Sequence, residues 1–550
     1  MTWAGDEGRA IIEVTATGDA ATAVREHVPA LVGDEVASRL SGQDPTLWGE
    51  AAEEEARVRL GWTALHDTSR DLLEPLARLR SELVEEGVDR VVLAGMGGSS
   101  LAPEVIAGSA GAQLLVLDST DPDQVHRALE GDLRRTVLVV SSKSGTTVET
   151  DSQRRAFETA FTEAGIDAAS RIVVVTDPGS ALQETAQEAR YRAVFEADPT
   201  VGGRFSALTA FGLVPSALAG VDVARLLDEA AAVAPFFAED TDANPVLVLG
   251  AALAGTSPLR DKLVIADHGS GLFHFGDWAE QLIAESTGKE GTGLLPVVVH
   301  PDAPELQDVA ADVLPVHLVP LTDEDDDSPA GSTRTEVTVA GSLGGQMLLW
   351  EHAISIAGRL LGINPFDQPN VESAKKAARG LLESTPAAEP PAFTDSGVEV
   401  RASTGLLDGV ETVADAVQAL LDSLDERGYL AVMAYLDREG HPAEVLEGVR
   451  SGLAGRAGRP VTFGWGPRFL HSTGQLHKGG PAVGVFLQIT GTPRQVVQVP
   501  GRDFDLGTLI SAQALGDARV LGESGRPVLR LHVTSPDALA WLAGLLGGRR

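Results

Sequence analysis

Between Leu93 and Phe195, short apolar runs alternate with helical segments, a pattern that leaves few folds open to this chain. The runs are VVLAG, QLLVLD, TVLVVS, RIVVVTD and AVFEAD, and each is separated from the next by enough residues for a crossover helix. Near-continuous apolar runs of this kind are typical of parallel strands that are covered on both faces. We therefore predict a first α/β unit in this part of the chain.

A second set of apolar runs begins near Asn244 and predicts a second α/β unit. It consists of VLVLGAALA, KLVIAD, LLPVVVH and VHLVPL, followed by a helical stretch over 346–361. Residues 1–85 have apolar side chains at helical spacing, and we expect them to form mainly helices that wrap the first sheet. Near the C-terminus, YLAVMAYL, PVTFGW, AVGVFLQI and PVLRLHV predict strands of a third α/β unit or of an extension that completes the second.

The predicted fold class is α/β, with two parallel-sheet units, flanking helices and a C-terminal α/β extension. A chain of 550 residues is too long for one compact core, so several domains are expected. Residues 383–393, rich in Pro and Ala, are the best candidate for a linker. The expected divisions are a helical wrap (1–85), a first unit (86–235), a second unit (236–382), the linker (383–393) and the extension (394–550).

Charge and composition exclude several classes of function. With 43 Lys and Arg against 79 Asp and Glu, the net charge is −36, which disfavours binding to nucleic acid or to anionic membranes. The chain contains no cysteine, so disulfides, thiolate catalysis and Cys-ligated zinc are excluded. The first residues do not read as a secretory signal, and no apolar run of about 18 residues occurs. We expect a cytoplasmic protein without a metal site, since no His-x-His or His-x-x-x-His spacing occurs.

Two polar motifs directly follow predicted strands of the first unit. AGMGGSS, residues 94–100, combines glycines, which let a ligand approach the backbone, with a following helix N-terminus. SSKSGTTVET, residues 141–150, offers hydroxyls and a lysine, a donor set that suits the oxygens of a phosphate monoester. The alternative interpretations are a turn selected for packing and a helix N-cap with surplus Ser and Thr. Because open parallel sheets bind ligands at strand carboxyl ends, we favour phosphate.

These two motifs and three later segments resemble the glucose-6-phosphate isomerase family and its sugar-isomerase domains. The later segments are VGGRFS (201–206), EQLIAESTGKE (280–290) and GINPFDQPNVESAKK (362–376). Such a resemblance implies a phosphate site at Ser142, Lys143, Ser144, Thr146 and Thr147. Gly98 and Ser99 would line the sugar.

The resemblance also implies catalytic roles. Glu285 matches the family base that moves a proton between C2 and C1 of the open-chain sugar, and Arg204 matches the arginine that stabilises the enediolate oxygen. Gln368 and Lys375 match a pair that contacts the phosphate and the ring oxygen. Taken alone, Glu285 could equally be an exposed helix carboxylate paired at i,i+4 with Lys289.

One segment departs from the family order. Family members usually carry a histidine in an H-S-x-G-Q segment between the E-S-x-G-K and N-P-F-D-Q motifs, and no such segment occurs there in this chain. Instead, FLHSTGQLHKGGP lies at 469–481, beyond the predicted linker. We predict that the C-terminal unit contributes His471 for ring opening, a task suited to a group that titrates near neutrality. The alternative is an ordinary polar turn containing His471 and His477.

The resemblance implies interconversion of glucose 6-phosphate and fructose 6-phosphate through a cis-enediol, in glycolysis and gluconeogenesis. No cofactor is expected, because the reaction needs only a positioned base and a donor for the enediolate oxygen. Two alternatives stay open: a dual phosphoglucose and phosphomannose isomerase, and a noncatalytic sugar-phosphate-binding protein. Family members are usually homodimers, so a homodimer is also implied.

Overall fold

The strands of the protein form three separate sheets. The computed structural model describes residues 2–6, 9–321, 334–370, 377, 380–382 and 389–548. The strands are Thr2–Asp6 (β1), Arg9–Ala16 (β2), Arg90–Gly95 (β3), Leu115–Leu117 (β4), Thr136–Ser141 (β5), Ile172–Thr176 (β6), Ala193–Glu196 (β7), Lys262–Asp267 (β8), Leu295–Val299 (β9), Val313–Val319 (β10), Val337–Gly341 (β11), Phe393–Asp395 (β12), Val398–Ala402 (β13), Tyr429–Tyr435 (β14), Val461–Trp465 (β15), Gly484–Gly491 (β16) and Val528–Val533 (β17).

Helices connect and cover these strands. In the described ranges they are Gly18–Gly33 (α1), Val36–Ser41 (α2), Glu50–Ala56 (α3), Leu65–Thr68 (α4), Leu73–Glu85 (α5), Leu101–Ser109 (α6), Pro122–Leu129 (α7), Val148–Glu163 (α8), Ala181–Ala189 (α9), Ala210–Ala219 (α10), Val223–Phe237 (α11), Pro245–Ala254 (α12), Phe275–Thr287 (α13), Pro304–Gln307 (α14), Leu343–Leu361 (α15), Val413–Asp422 (α16), His441–Leu446 (α17), Val449–Ala457 (α18), Gly474–Gly479 (α19), Leu506–Glu523 (α20) and Pro536–Leu546 (α21).

The first sheet confirms the five strands predicted between Leu93 and Phe195. Its order is β4-β3-β5-β6-β7, and every pair is parallel. The side chains of β5 and β6 are all buried, because helices cover both faces of the sheet. The predicted α/β class therefore holds for this part of the chain.

The second sheet takes two strands from the N-terminus. Its order is β1-β2-β11-β10-β8-β9, in which β8 to β11 are parallel and β2 pairs antiparallel with β11. Neither β1 nor β2 was predicted from the sequence. The expectation that residues 1–85 wrap the first sheet is wrong for α1, because this helix packs against α12 and against β2 of the second sheet. The alternation of buried Ile12 and Val14 with part-exposed Glu13 and Thr15 is the signal that would have indicated β2.

The predicted strand VLVLGAALA is wrong: these residues form α12. Asn244 caps the helix by accepting a hydrogen bond from the N–H of Val246 at 3.0 Å, and Pro245 occupies the first helical position. All ten residues of α12 are buried. A helix buried on every side has no amphipathic period, so its apolar run cannot be told from a strand by pattern alone.

The third sheet is built from Phe393 onward, so it includes the last residue of the predicted linker. Its order is β12-β13-β17-β16-β14-β15, with β14 to β17 parallel and β12 and β13 antiparallel at one edge. The four predicted C-terminal strands are confirmed, and they form a sheet of their own instead of extending the second. The predicted domain boundaries remain predictions, and residues 383–388 of the linker lie outside the described residues.

Apolar packing joins the second and third sheets. One buried cluster combines Val264 and Val297 of the second sheet and Ala284 of α13 with Tyr429 and Phe486 of the third sheet. This shared cluster packs the third sheet against α13 and against the strands of the second sheet.

Glu351 on α15 is an unpaired acid in the interior. It is fully buried, and neither carboxyl oxygen has a hydrogen-bond partner among the described residues. Burial raises the pKa of Glu351 well above its usual value, because the ionised form cannot be solvated there.

We expect Glu351→Gln to gain stability relative to the wild type as pH rises from 5 to 8. The unfolded carboxyl loses its proton above the usual pKa of a glutamate, whereas the raised pKa of the folded group favours the protonated form, so the wild-type free energy of unfolding falls with rising pH. Glutamine does not titrate, and the difference should move in its favour by about 1–3 kcal/mol. Urea unfolding at both pH values measures it. The exposed Glu54→Gln variant is the control, and an equal shift in both variants would contradict the prediction.

Candidate active site

Two turns lie side by side at the carboxyl edge of the first sheet. β3 ends at Gly95 and β5 at Ser141, and these residues are paired across the two parallel strands. The strand order reverses here, because β4 lies on one side of β3 and β5 on the other. Open α/β sheets bind ligands in the crevice at such a reversal. Both motifs predicted to bind substrate flank this position.

The turn after β5 brings the predicted hydroxyl groups together. Ser142 Oγ accepts from the N–H of Gly145 and donates to Thr147 Oγ1, both at 3.1 Å, and Ser144 Oγ lies 2.8 Å from Thr146 Oγ1. Ser144 and Thr146 are exposed. Helix α8 begins directly after this turn, so an anion bound here would meet both the hydroxyls and the positive end of the helix.

Lys143 of the same turn is engaged in an ion pair. Its Nζ lies 2.6 Å from Oδ2 of Asp177, in the loop after β6. The N–H of Asp177 also donates to the carbonyl of Lys143 at 3.2 Å. Lys143 therefore ties the turn after β5 to the turn after β6, and it is not joined to the hydroxyl groups.

The turn after β3 touches the backbone of the Gly203–Phe205 turn. Gly97–Ser99 is a 3₁₀ turn, and a Cβ on Gly98 would lie 1.9 Å from the carbonyl oxygen of Gly203. Ser99, half-buried, follows at the same edge of the sheet. No side chain fits at Gly98, so the two turns meet through backbone atoms.

Glu285 lies near the end of α13 and is 5% exposed. Its Oε2 is 3.6 Å from Nη1 of Arg204 and accepts a hydrogen bond at 3.2 Å from Nε2 of Gln281, one helical turn earlier. A buried carboxylate held by a guanidinium and an amide has few rotamers open to it, which suits a positioned base.

Arg204 joins Glu285 to the N-P-F-D-Q segment. Its Nε donates to Ser286 Oγ at 2.8 Å, Nη1 to Gln368 Oε1 at 3.1 Å, and Nη2 to the carbonyls of Pro365 and Asp367. Burial lowers the pKa of Arg204, but the usual value for arginine is so high that the charge persists at neutral pH. The guanidinium is thus a fixed cation beside the predicted base.

Lys289 binds the same segment from the other side. Its Nζ donates to the carbonyls of Asn364 at 2.7 Å and Asp367 at 2.6 Å, and it pairs with Asp367 Oδ1 at 2.6 Å. Burial lowers the pKa of Lys289 to about 8. The alternative of an exposed carboxylate paired with Lys289 is wrong, because both Glu285 and Lys289 are buried.

His471 lies between α8 and α13, next to Glu149 and Gln281; these residues and Glu285, which Gln281 contacts, form what is called the cleft. Its Nε2 lies 3.1 Å from Oε1 of Glu149, in the first turn of α8, and its carbonyl accepts from Gln281 Nε2 at 2.8 Å. The same amide nitrogen contacts Glu285, so a single side chain connects the predicted base and the predicted ring-opening histidine. The C-terminal segment thus comes together with the first two units although it lies far downstream in sequence.

The remaining polar residues of this segment have other partners. His477 is buried against the Tyr429 hydroxyl at 2.9 Å, and burial lowers the pKa of its imidazole well below the usual value. Gln475 donates to the carbonyl of Gly288 at 2.9 Å and contacts Asn370, while Lys478 pairs with the buried Asp517. These contacts hold the segment in place.

Two residues of the cleft, Gln281 and Glu149, were not predicted from the sequence. Both lie inside the motifs named above. The i,i+4 spacing of Gln281 and Glu285 was the available signal for Gln281. For Glu149 there was none, since its partner His471 belongs to a distant segment. Lys375 lies outside the described residues.

In the described part of the chain, no three His, Asp or Glu side chains are grouped to hold a metal ion. None of the described helices combines the length and apolar character needed to span a bilayer.

Comparison with known proteins defines the family. A sequence model described as Phosphoglucose isomerase matches residues 72–293. A glucose-6-phosphate isomerase of Geobacter sulfurreducens is 30% identical over 386 residues, which cover 59% of this chain and 72% of that protein. This chain belongs to the glucose-6-phosphate isomerase family.

Other members of the glucose-6-phosphate isomerase family match about half of the chain. The protein of Synechococcus elongatus is 31% identical over 344 residues, and the match covers 52% of this chain but only 65% of that relative's own length. Among solved structures, a hypothetical protein of Thermus thermophilus superposes with a TM-score of 0.55 at 25% identity, covering 67% of this chain and all of that one. The resemblance inferred from the motifs is confirmed.

Gly98→Ala should separate the turns after β3 and before α10. A Cβ placed 1.9 Å from a carbonyl oxygen forces the backbone to move, which we expect to destabilise the fold by roughly 1–3 kcal/mol. Gly203→Ala is the matched control, because a Cβ there has no neighbour within 4 Å. Denaturant unfolding measures the effect. Equal behaviour of the two variants would refute the close contact.

Proposed function

We propose that this protein is a glucose-6-phosphate isomerase that interconverts glucose 6-phosphate and fructose 6-phosphate through a cis-enediol. The observation that carries the proposal is the arrangement around Gln281. Its amide nitrogen contacts the Glu285 carboxylate and the backbone carbonyl of His471, whose imidazole lies against Glu149, and Arg204 lies 3.6 Å from the Glu285 carboxylate. A base, a cation and an imidazole therefore share one cleft next to a hydroxyl-rich turn.

Glu285 performs the proton transfer in this proposal. It removes the proton from C2 of the open-chain aldose and returns it to C1, while the proton of the C2 hydroxyl passes to the oxygen on C1, so that C2 becomes the carbonyl carbon and C1 the alcohol. The oxygen that becomes anionic in the enediolate needs a cation in a water-poor site, and Arg204 supplies one that is already fixed by four hydrogen bonds. No electron acceptor is needed, since the change in oxidation state is internal to the substrate.

His471 performs ring opening in this proposal. Opening the pyranose requires protonation of the ring oxygen and removal of the proton from the C1 hydroxyl. An imidazole can do both near neutral pH. Glu149, whose Oε1 lies 3.1 Å from Nε2 of the imidazole, holds the ring in position.

The phosphate binds at the turn after β5 in this proposal. Ser142, Ser144, Thr146 and Thr147 supply hydroxyl donors, and the N-terminus of α8 supplies backbone N–H groups. Gly98 and Ser99 line the sugar, and Gln368, held by Arg204, contacts it from the opposite side. Lys375 joins Gln368 there, by resemblance to the family. Cytoplasmic location, a homodimer, and a place in glycolysis and gluconeogenesis are part of the same proposal.

Glu285→Gln should lower kcat for fructose 6-phosphate by about 10²- to 10⁴-fold, because it removes the general base without changing the size of the side chain. Exchange of the transferred proton with deuterated solvent should fall by the same factor. His471→Ala should slow the conversion of cyclic substrate more than that of open-chain substrate. Coupled assays and NMR of the C1 and C2 protons measure these effects.

The control for His471→Ala is His300→Ala, whose side chain is 76% exposed and lies outside the cleft. A wild-type protein that binds sugar phosphates without converting them would favour the noncatalytic alternative. Conversion of mannose 6-phosphate would favour the dual isomerase.

A further inference from the structure

We propose that Arg468 is a positioning residue that holds His471 in the cleft by tying the third unit to the other two. The inference rests on the proposed function for its kinetic consequence, although not for its structural one. Arg468 and His471 are the first and last residues of one 3₁₀ turn, Arg468–His471. Fixing one end of so short a turn fixes the other.

Arg468 makes buried ion pairs with the first unit and a longer, part-exposed ion pair with the second. Nη1 lies 2.6 Å from Glu104 Oε2 and 2.7 Å from Asp118 Oδ2, and Nη2 lies 3.4 Å from Asp277 Oδ2. The arginine side chain is 10% exposed and Asp118 is fully buried. Glu104 and Asp118 belong to the first unit and Asp277 to the second, so one guanidinium spans all three.

A second arginine of the third unit shares the same carboxylates. Arg438 Nε lies 3.0 Å from Asp118 Oδ1, and its Nη1 lies 3.0 Å from Glu104 Oε1. The positive charges of these two arginines and the negative charges of Glu104 and Asp118 therefore balance, and each of the four carboxylate oxygens lies next to a guanidinium. Such a group is specific in geometry, because each planar guanidinium matches the carboxylates only in one orientation.

Two of the three acids lie on helices next to the candidate site. Glu104 lies on α6, which begins after the Gly97–Ser99 turn, and Asp277 lies on α13, two helical turns before Glu285. Arg468 thus positions His471 relative to α6, which follows the proposed sugar-binding turn, and to α13, which carries the proposed base. His471 itself contacts Glu149 at 3.1 Å and Gln281 at 2.8 Å, and both hydrogen bonds require that alignment.

Other buried ion pairs between units lie away from this turn and provide a matched control. Arg459 of the third unit is 11% exposed and binds Asp312 of the second unit through two hydrogen bonds, at 3.0 and 2.6 Å. It has the same residue type as Arg468 and a similar burial, but its described ion-pair partner lies on neither α6 nor α13. Loss of a buried cross-unit pair can therefore be separated from loss of alignment at His471.

The kinetic test compares Arg468→Gln and Arg459→Gln on two substrates. Fructose 6-phosphate is mainly cyclic, whereas 5-deoxyfructose 6-phosphate lacks the hydroxyl that closes the ring. We expect Arg468→Gln to lower kcat/KM at least about 10-fold on the cyclic substrate and less than about 3-fold on the open-chain one, since only ring opening needs His471. Arg459→Gln should change kcat/KM by the same factor for both substrates. Arg468→Lys should recover part of the kcat/KM that Arg468→Gln loses on the cyclic substrate.

Amide hydrogen exchange over residues 466–480 tests the structural part without any activity. We expect exchange there to become about 10-fold faster in Arg468→Gln and in Asp118→Asn, and to stay unchanged in Arg459→Gln. If Arg468→Gln does not fold, Arg468→Lys and Asp118→Asn provide the same comparison.

The outcomes separate the inference from the proposed function. Wild type without isomerase activity but with the expected exchange pattern would overturn the function and leave the anchoring role of Arg468. Equal losses on both substrates with unchanged exchange over 466–480 would overturn the positioning role. An Arg459→Gln variant that reproduces the Arg468→Gln pattern would overturn it as well.

Discussion

The candidate site depends on one buried cation, the guanidinium of Arg204. It comes from the loop after the first sheet, yet its hydrogen bonds reach Ser286 on α13 and the carbonyls of Pro365 and Asp367. A cation taken out of water needs such partners on all sides, because an unpaired buried charge is very costly. The three segments are therefore held together by the need to satisfy this one side chain, and Glu285 is positioned as a consequence.

Local patterns predicted the parts of the structure that local forces determine. The five strands of the first sheet, and the hydroxyl-rich turn after β5, follow from apolar runs and turn residues within a few positions of each other. Helix α12 could not be assigned this way, since its burial on every side removes the amphipathic signal. Strand β2 gives a weak alternation, and its partner β11 lies more than three hundred residues away in sequence.

The candidate site shows the same division between local and distant information. The roles proposed for Glu285, Arg204 and Gln368 rest on a motif resemblance. In the structure Arg204 contacts both of the other two side chains. The pairing of His471 with Glu149 could not be read from either motif, because it depends on how the third sheet packs on the other two. Lys143 illustrates the reverse case: its motif is clear, but Asp177 engages its amine.

The third unit has consequences for how the site is assembled during synthesis. A chain is made from its N-terminus, and domains generally fold as units in that order. Residues 1–370 supply the hydroxyl-rich turn, the base and the buried arginine, so these can be in place while the ribosome is still translating the third sheet. His471 and the strands on both sides of it, β15 and β16, emerge later, and β17 emerges after them. Under the proposed function, the groups that hold the phosphate and move the proton are therefore made before the ring-opening histidine, and the cleft is completed only when the last sheet closes on it.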